Sequence, residues 1–294
     1  MSAAAGPEPA VPAGVDLAEL EEVACRVARE AARLVVEERP EDLGVAAKST
    51  PTDVVTEMDQ RSQELLLDRL AALRPRDAVL GEEEGGRDGT SGVTWVVDPI
   101  DGTTNYLYRV PQYAVSVAAV VGDPGEGGRW RAVAGAVANP ESGELFHARE
   151  GGGAWLDARG DTRRLRARST GDLALALVGT GFGYAPELRA RQARLLVELL
   201  PAVRDIRRQG SAALDLCAVA AGRLDAYYET GLHAWDRAAG ELVAREAGAR
   251  VGGPFDEVAA QALTWAAAPG VAEALSDRVR ALTREHVGLP DAPA

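Results

Sequence analysis

The 294-residue sequence predicts an α+β fold in two joined halves, an antiparallel-sheet half over residues 15–168 and an α/β half over residues 169–294. Three observations predict it. Apolar residues recur every three to four positions from Leu17 to Val35 and again across residues 56–73, the period of a helix packed on one face. From Ala78 to Leu156 short apolar runs follow one another across tight turns, which suits antiparallel pairing and not a βαβ series. After Ser169 helical stretches separate the strand-like runs.

Residues 1–14, rich in Ala, Pro and Gly, are expected to form a disordered tail. Order is expected from Asp16, an N-cap residue with Glu19 three positions on, as in a capping box. Leu17, Leu20, Val23, Ala24, Val27, Ala31, Leu34 and Val35 then trace one helical face, and Pro40 ends it. The second helix turns Leu65, Leu66, Leu70 and Leu73 inward. Strands are expected at 78–80, 95–97, 113–121, 130–137, 144–148 and 154–156, with Asp123-Pro124-Gly125 and Gly151-Gly152-Gly153 as turns. The second half reads as a strand at 173–178, a helix at 186–200, a strand at 204–208, a helix at 211–221, a strand at 224–229 and helices at 235–247 and 271–285.

Hydrophobic residues make up 46% of the chain, enough for a large core, which excludes global disorder. Asp and Glu outnumber Lys and Arg by 45 to 32, and the net charge of −13 repels nucleic-acid backbones and anionic membranes. No nucleic-acid or membrane partner is therefore expected. A small phosphorylated substrate stays possible, provided that cations mediate the contact. No apolar run approaches the ~20 residues needed to span a bilayer, and the N-terminus lacks a signal-peptide pattern, so a cytoplasmic location is expected. Cys25 and Cys217 lie far apart in apolar helical stretches and read as two reduced core thiols.

Three strand-to-loop junctions end in carboxylates: Glu82-Glu83-Glu84 after Gly81, Asp98-Pro99-Ile100-Asp101-Gly102-Thr103-Thr104 after Trp95-Val96-Val97, and Trp235-Asp236 at a helix start. Singly, each is an ordinary acidic turn, tight loop or helix cap. Together they place hard oxygen ligands beside buried strands, where desolvation is costly without a cation, and Mg²⁺ or Mn²⁺ suits such donors. Pro99 bends the chain so that Asp98 and Asp101 can converge. Gly102 admits a ligand close to the backbone, and Thr103 and Thr104 add hydroxyls and amides at a helix start, a place for an anion. Metal ligands and phosphate donors within seven residues point to metal-assisted phosphoryl chemistry.

These motifs resemble those of the inositol monophosphatase family. The resemblance rests on Gly81-Glu82-Glu83, on Trp95 through Tyr106, and on Trp235-Asp236-Arg237-Ala238-Ala239-Gly240. Lys48-Ser49-Thr50-Pro51 through Asp59, Gly210-Ser211-Ala212-Ala213, Asp225 through Glu229 and Gly252-Gly253-Pro254-Phe255 follow in family order. The resemblance implies a layered αβαβα sandwich of the inositol monophosphatase and fructose-1,6-bisphosphatase type, a homodimer, and lithium-sensitive hydrolysis of a phosphomonoester with two to three Mg²⁺ per subunit. Glu82, Asp98 and the Ile100 carbonyl would hold one ion, and Asp98, Asp101 and Asp236 a second, with Glu82 helping a third. Asp59 and Thr103, with Glu82, would form the catalytic set around the attacking water, and Gly102, Thr103 and Thr104 would bind phosphate. Asp101, Gly210, Ser211, Ala212, Glu229 and Asp236 would contact the substrate. Lys48 and Glu83 are further candidates; Lys48 reads equally as a solvated lysine in a polar loop. On this resemblance the N-terminal half carries most metal ligands and the C-terminal half completes the site.

His233, near Asp236, is expected to orient groups or wall the substrate, while His147 and His286 show no partner pattern. Arg207 and Arg208 are expected to be solvated at the surface, and the direction of Arg237 is open. The leading function is inositol-1-phosphate phosphatase, acting on a small phosphorylated polyol. Histidinol-phosphate phosphatase, acting on an amino-alcohol ester, is the enzymatic alternative. A metal-binding regulator with a protein partner is the non-enzymatic one.

Overall fold

A computed structural model describes residues 8–48, 50–125, 129–255 and 258–289. The chain opens with α1 (Leu17–Glu37), whose N-cap Asp16 accepts a hydrogen bond from the Ala18 amide. Glu19 does not close a capping box there; its carboxylate lies 2.8 Å from Arg74. The short pair β1 (Ala46–Ala47) and β2 (Val54–Val55) precedes α2 (Glu57–Leu73). Next come β3 (Ala78–Gly81), β4 (Val93–Asp101), α3 (Thr103–Leu107), β5 (Ala114–Gly122), β6 (Trp130–Asn139), β7 (Glu144–Arg149), β8 (Gly153–Ala158) and β9 (Asp161–Arg164). The second half contains β10 (Leu177–Thr180), α4 (Pro186–Leu199), β11 (Asp205–Arg207), α5 (Ala212–Ala220), β12 (Ala226–Glu229), α6 (Ala234–Glu246), β13 (Arg250–Gly252), β14 (Thr264–Ala267) and α7 (Ala272–Leu282).

Strands β3 to β9 form a seven-stranded sheet in sequence order. Its pairing is antiparallel as expected, except that β3 and β4 run parallel. Both faces are buried, which is why β5 is apolar at nearly every position and β4 is apolar up to Asp98 except at Thr94. Trp95, Val97, Val115, Val117 and Ala119 face α1 and α2, whereas Val96, Ala114, Ala118 and Val120 face α5 and α6. The second sheet, in the order β11-β10-β12-β14-β13, is mixed. Its inner face packs on α5 and α6, and its outer face carries α4 and α7. The layers therefore run αβαβα, as the resemblance implied. Helices α5 and α6 serve both sheets, which ties the two halves together.

Several expectations need correction. Part of the anticipated tail, residues 1–7, lies outside the described residues, but residues 8–14 are laid on the first sheet. Val11 packs against the core and the Pro9 carbonyl accepts a 3.0 Å bond from Arg131. Residues 173–175 form a 3₁₀ turn ahead of β10. Strands β9, β13 and β14 had not been anticipated. His147 is 2.7 Å from Glu21, and His286 is 2.6 Å from Glu198, so both have partners. Arg237 pairs with Glu241 and stacks 4.7 Å over the Trp130 ring, on the sheet side of α6. Cys25 and Cys217 are buried free thiols, as expected. No helix among the described residues is long and apolar enough to cross a membrane.

Candidate active site

A cleft of about 500 Å³ opens where the end of β4, the starts of α3, α5 and α6, the end of β12 and the 181–185 loop meet. Three carboxylates converge at its floor. Asp98, Asp101 and Asp236 each bring one oxygen to within 4.8 Å of the others'. The convergence has a local cause in β4: its register against β5 shifts between Asp98 and Asp101, so both side chains reach the same side of the chain's end.

Each carboxylate has one oxygen engaged in its own support. Asp98 Oδ1 accepts from the Ile100 amide at 3.0 Å. Asp101 Oδ2 accepts from Ser211 Oγ at 2.6 Å and from the Ala213 amide at 2.8 Å. Asp236 Oδ2 accepts from the His233 amide at 2.6 Å, closing a capping box at the start of α6. What remains faces inward, and Asp98 Oδ2 is buried without a partner. A buried anionic oxygen left bare costs several kcal/mol, on the order of 1–3 even for a neutral group. An all-oxygen donor set with this orphan fits a hard divalent cation.

The electrostatics agree. Burial, with the neighbouring Glu82 charge adding to it, pushes Asp98 and Asp236 well above the usual carboxylate range. Asp101 is raised by burial to about 6, against the Ser211 and Ala213 hydrogen bonds that favour its anion. Lys48 supplies positive charge at the rim, its Nζ 2.8 Å from Glu82 Oε1 and also bonded to Glu83. Although burial opposes it, this pairing raises the Lys48 pKa.

Gly102, the N-cap of α3, has φ 97°, and a Cβ there would lie 3.0 Å from the Gly210 carbonyl. Only glycine suits that conformation and that contact. Thr103 follows, and its Oγ1 donates to Asp59 Oδ1 at 3.0 Å and approaches the Ile100 carbonyl at 3.2 Å. Asp59 is fully buried behind it and also accepts from the Thr56 amide and hydroxyl at 2.8 and 2.6 Å. Burial outweighs those bonds and lifts Asp59 to about 6. At the opposite wall burial lifts Glu229 to about 7, against a hydrogen bond from the Tyr227 hydroxyl.

Of the expected site residues, Lys48, Glu82, Asp98, Ile100, Asp101, Gly102, Thr103, Gly210, Ala212, Glu229 and Asp236 line the cleft. Asp59, Ser211 and Glu83 stand behind that wall and bond to lining residues. Thr104 is not in the lining; its carbonyl accepts from the Tyr108 amide within α3. Arg208, expected at the surface, lines the cleft, whereas Arg207 pairs with Asp205 outside it. His233 also lines it, stacked 4.7 Å from Trp235. Asp53 and the segment from Gly181 to Tyr184 were missed, since a glycine-rich stretch and a lone aspartate carry no motif.

Known proteins resemble this chain in sequence and fold. The sequence profile of the inositol monophosphatase family matches residues 16–287. A Mycobacterium leprae protein named inositol-1-monophosphatase is 50% identical over 270 residues, 86% of this chain and 90% of that protein. A Pasteurella multocida protein named Nus factor SuhB is 40% identical over 233 residues, covering 78% and 83%. The solved structure of Mycobacterium tuberculosis SuhB superposes with a TM-score of 0.77 at 45% identity, over 91% of this chain and 98% of that one. With a profile spanning nearly all of the described chain and the same layered fold in a solved relative, the chain belongs to the inositol monophosphatase family.

Proposed function

We propose that this chain hydrolyses inositol 1-phosphate to myo-inositol and phosphate, with Mg²⁺ held by its carboxylate cluster. The observation that carries this reading is the convergence of Asp98, Asp101 and Asp236 around the unpartnered Asp98 Oδ2, next to the Thr103–Asp59 pair. A 50% identical relative bears the name inositol-1-monophosphatase, which supports the choice of substrate. Glu82, Asp98 and the Ile100 carbonyl would hold one ion; Asp98, Asp101 and Asp236 would hold a second; Glu82 would help with a third. Bound Mg²⁺ offsets the charge of the phosphate dianion and lowers the pKa of water.

The remaining work falls to the chain itself. The Thr103 hydroxyl directs its hydrogen toward Asp59 and the Ile100 carbonyl, so its lone pairs are left to accept from the attacking water. Asp59 holds that hydroxyl in place, and at about 6 it titrates close to neutral pH, where acid–base help is most effective. The Gly102 and Thr103 amides would receive the phosphate oxygens. Glu229 would accept from a hydroxyl of the leaving alcohol, and Ala212 leaves room for its ring. By the same resemblance we propose a homodimer and inhibition by Li⁺.

A phosphate-release panel tests the reading, with inositol 1-phosphate, histidinol phosphate, fructose 1,6-bisphosphate and adenosine bisphosphate, each with Mg²⁺. Fastest turnover of inositol 1-phosphate is expected; preference for histidinol phosphate would move the chain to the amino-alcohol alternative. A second reading, as a regulator bound to a protein partner, draws on the relative named Nus factor SuhB. Absence of phosphate release from every ester would favour it.

A further inference from the structure

Helix α2 presents three buried polar side chains toward the site: two bond to the 98–104 segment and the third to the acidic turn after β3. Asp59 holds Thr103, and Ser62 Oγ donates to the Pro99 carbonyl at 3.1 Å, between Asp98 and Ile100. Gln63, one position on, is buried and grips the acidic turn after β3. Its Oε1 accepts from the Glu83 amide at 2.9 Å, while its Nε2 donates to the carbonyls of Glu83 and of Glu84, the latter at 2.7 Å. The Glu82 amide is bonded on its other side to the Val97 carbonyl of β4 at 3.2 Å. The peptide that carries Glu82 is thus held between a strand and one amide side chain.

Gly81 gives a second, independent observation. A Cβ at Gly81 would lie 2.3 Å from Gln63 Oε1, so the glutamine amide occupies the space that any larger residue would fill. Glycine here has a steric reason, and the reason is Gln63. We infer that Gln63 is a positioning residue for the metal site: its clamp on the 82–84 turn aims the Glu82 carboxylate at the cleft. The inference rests on the reading of Glu82 as a metal ligand. A side chain that orients a ligand from behind typically contributes about 10–100-fold to metal affinity.

The test is direct Mn²⁺ binding to the full chain without substrate, by electron paramagnetic resonance, alongside melting temperatures of the metal-free proteins. Gln63→Ala and Gly81→Ala are each expected to weaken the tightest Mn²⁺ binding by roughly 10–100-fold, and the double variant scarcely further, because both remove one clamp. Asn139→Ala is the control. Asn139 holds the β6–β7 turn through the Glu141 and Ser142 amides, both at 3.0 Å, away from the cleft. It should lose stability as Gln63→Ala does but keep its Mn²⁺ affinity. If Gln63→Ala and Gly81→Ala behave like this control, Gln63 is only structural and the inference fails. Glu82→Gln separates the two levels. Wild-type Mn²⁺ binding in Glu82→Gln overturns the ligand reading and the inference with it. Weakened binding there, with Gln63→Ala and Gly81→Ala unaffected, overturns the inference alone.

Discussion

The Thr103 hydroxyl donates a 3.0 Å hydrogen bond to Asp59 across 44 residues of sequence, and Asp59 itself does not line the cleft. Asp59 is fully buried and spends its second oxygen on the Thr56 amide and hydroxyl. On the proposed mechanism it would act through Thr103, and this separates its expected behaviour from that of the carboxylates on the cleft floor.

Asp59→Asn or Thr103→Ala should lower kcat by roughly 10²–10⁴-fold, the scale of lost acid–base help. Mg²⁺ affinity should hardly change. The double variant should be scarcely worse than either single one, because the two work as a unit. Steady-state kinetics with calorimetric metal titration checks this; loss of Mg²⁺ binding in Asp59→Asn would assign that residue to the metal cage.

Asp98→Asn should weaken both metal binding and turnover while raising the melting temperature of the metal-free protein. The substitution removes one of several like charges that burial already penalises. Chelation of wild-type enzyme should abolish phosphate release, and full activity in excess EDTA, with metal analysis showing none bound, would overturn the metal assignment.

Glu229→Gln should alter discrimination among esters more than it slows a small generic phosphate. A site built to accept from a substrate hydroxyl loses that preference when the acceptor changes. Equal losses on every substrate, measured as kcat/KM ratios, would place Glu229 in the architecture instead.

A further effect belongs to α1 and β7, far from the chemistry. Burial disfavours the His147 cation, but the hydrogen bonds that its ring donates to Cys25 and Glu21 outweigh it and raise His147 to about 10. A raised histidine stabilises the fold fully below its unfolded pKa near 6.5, and that contribution fades as pH climbs through about 10. His147→Gln should therefore cost about 1.5–3 kcal/mol at pH 6, the range for a hydrogen bond to a charged group. The gap from wild type should shrink progressively toward pH 10.5, read by denaturant melts across pH. A gap that stays constant with pH would show that His147 is neutral in the fold.

The sequence was most legible where structure is local. Trp95 through Tyr106 carries its own bend, glycine and threonines, so the convergence of Asp98 with Asp101 could be anticipated from Pro99 alone. Helix α1 and the first sheet's strands from β3 to β8 followed from period and turn chemistry. The strands at 250–252 and 264–267 did not, because a three- or four-residue strand with both faces covered shows no alternation.

What the sequence by itself determined is the chemistry available: oxygen donors at strand ends, a glycine where a ligand approaches, and motifs in the order of one family. Only the tertiary structure decided which groups meet. Ser211 supports Asp101 from 110 positions away, and Arg208 turns into the cleft while Arg207 turns out. Gln63, which no motif marks, closes on the 82–84 turn because α2 lies beside β3 and β4. Hydrogen bonds reach about 3 Å, and pairings between distant segments exist only once the layers have packed. A side chain's neighbours in space, and so its part in the site, are properties of the fold and not of its neighbours in the chain.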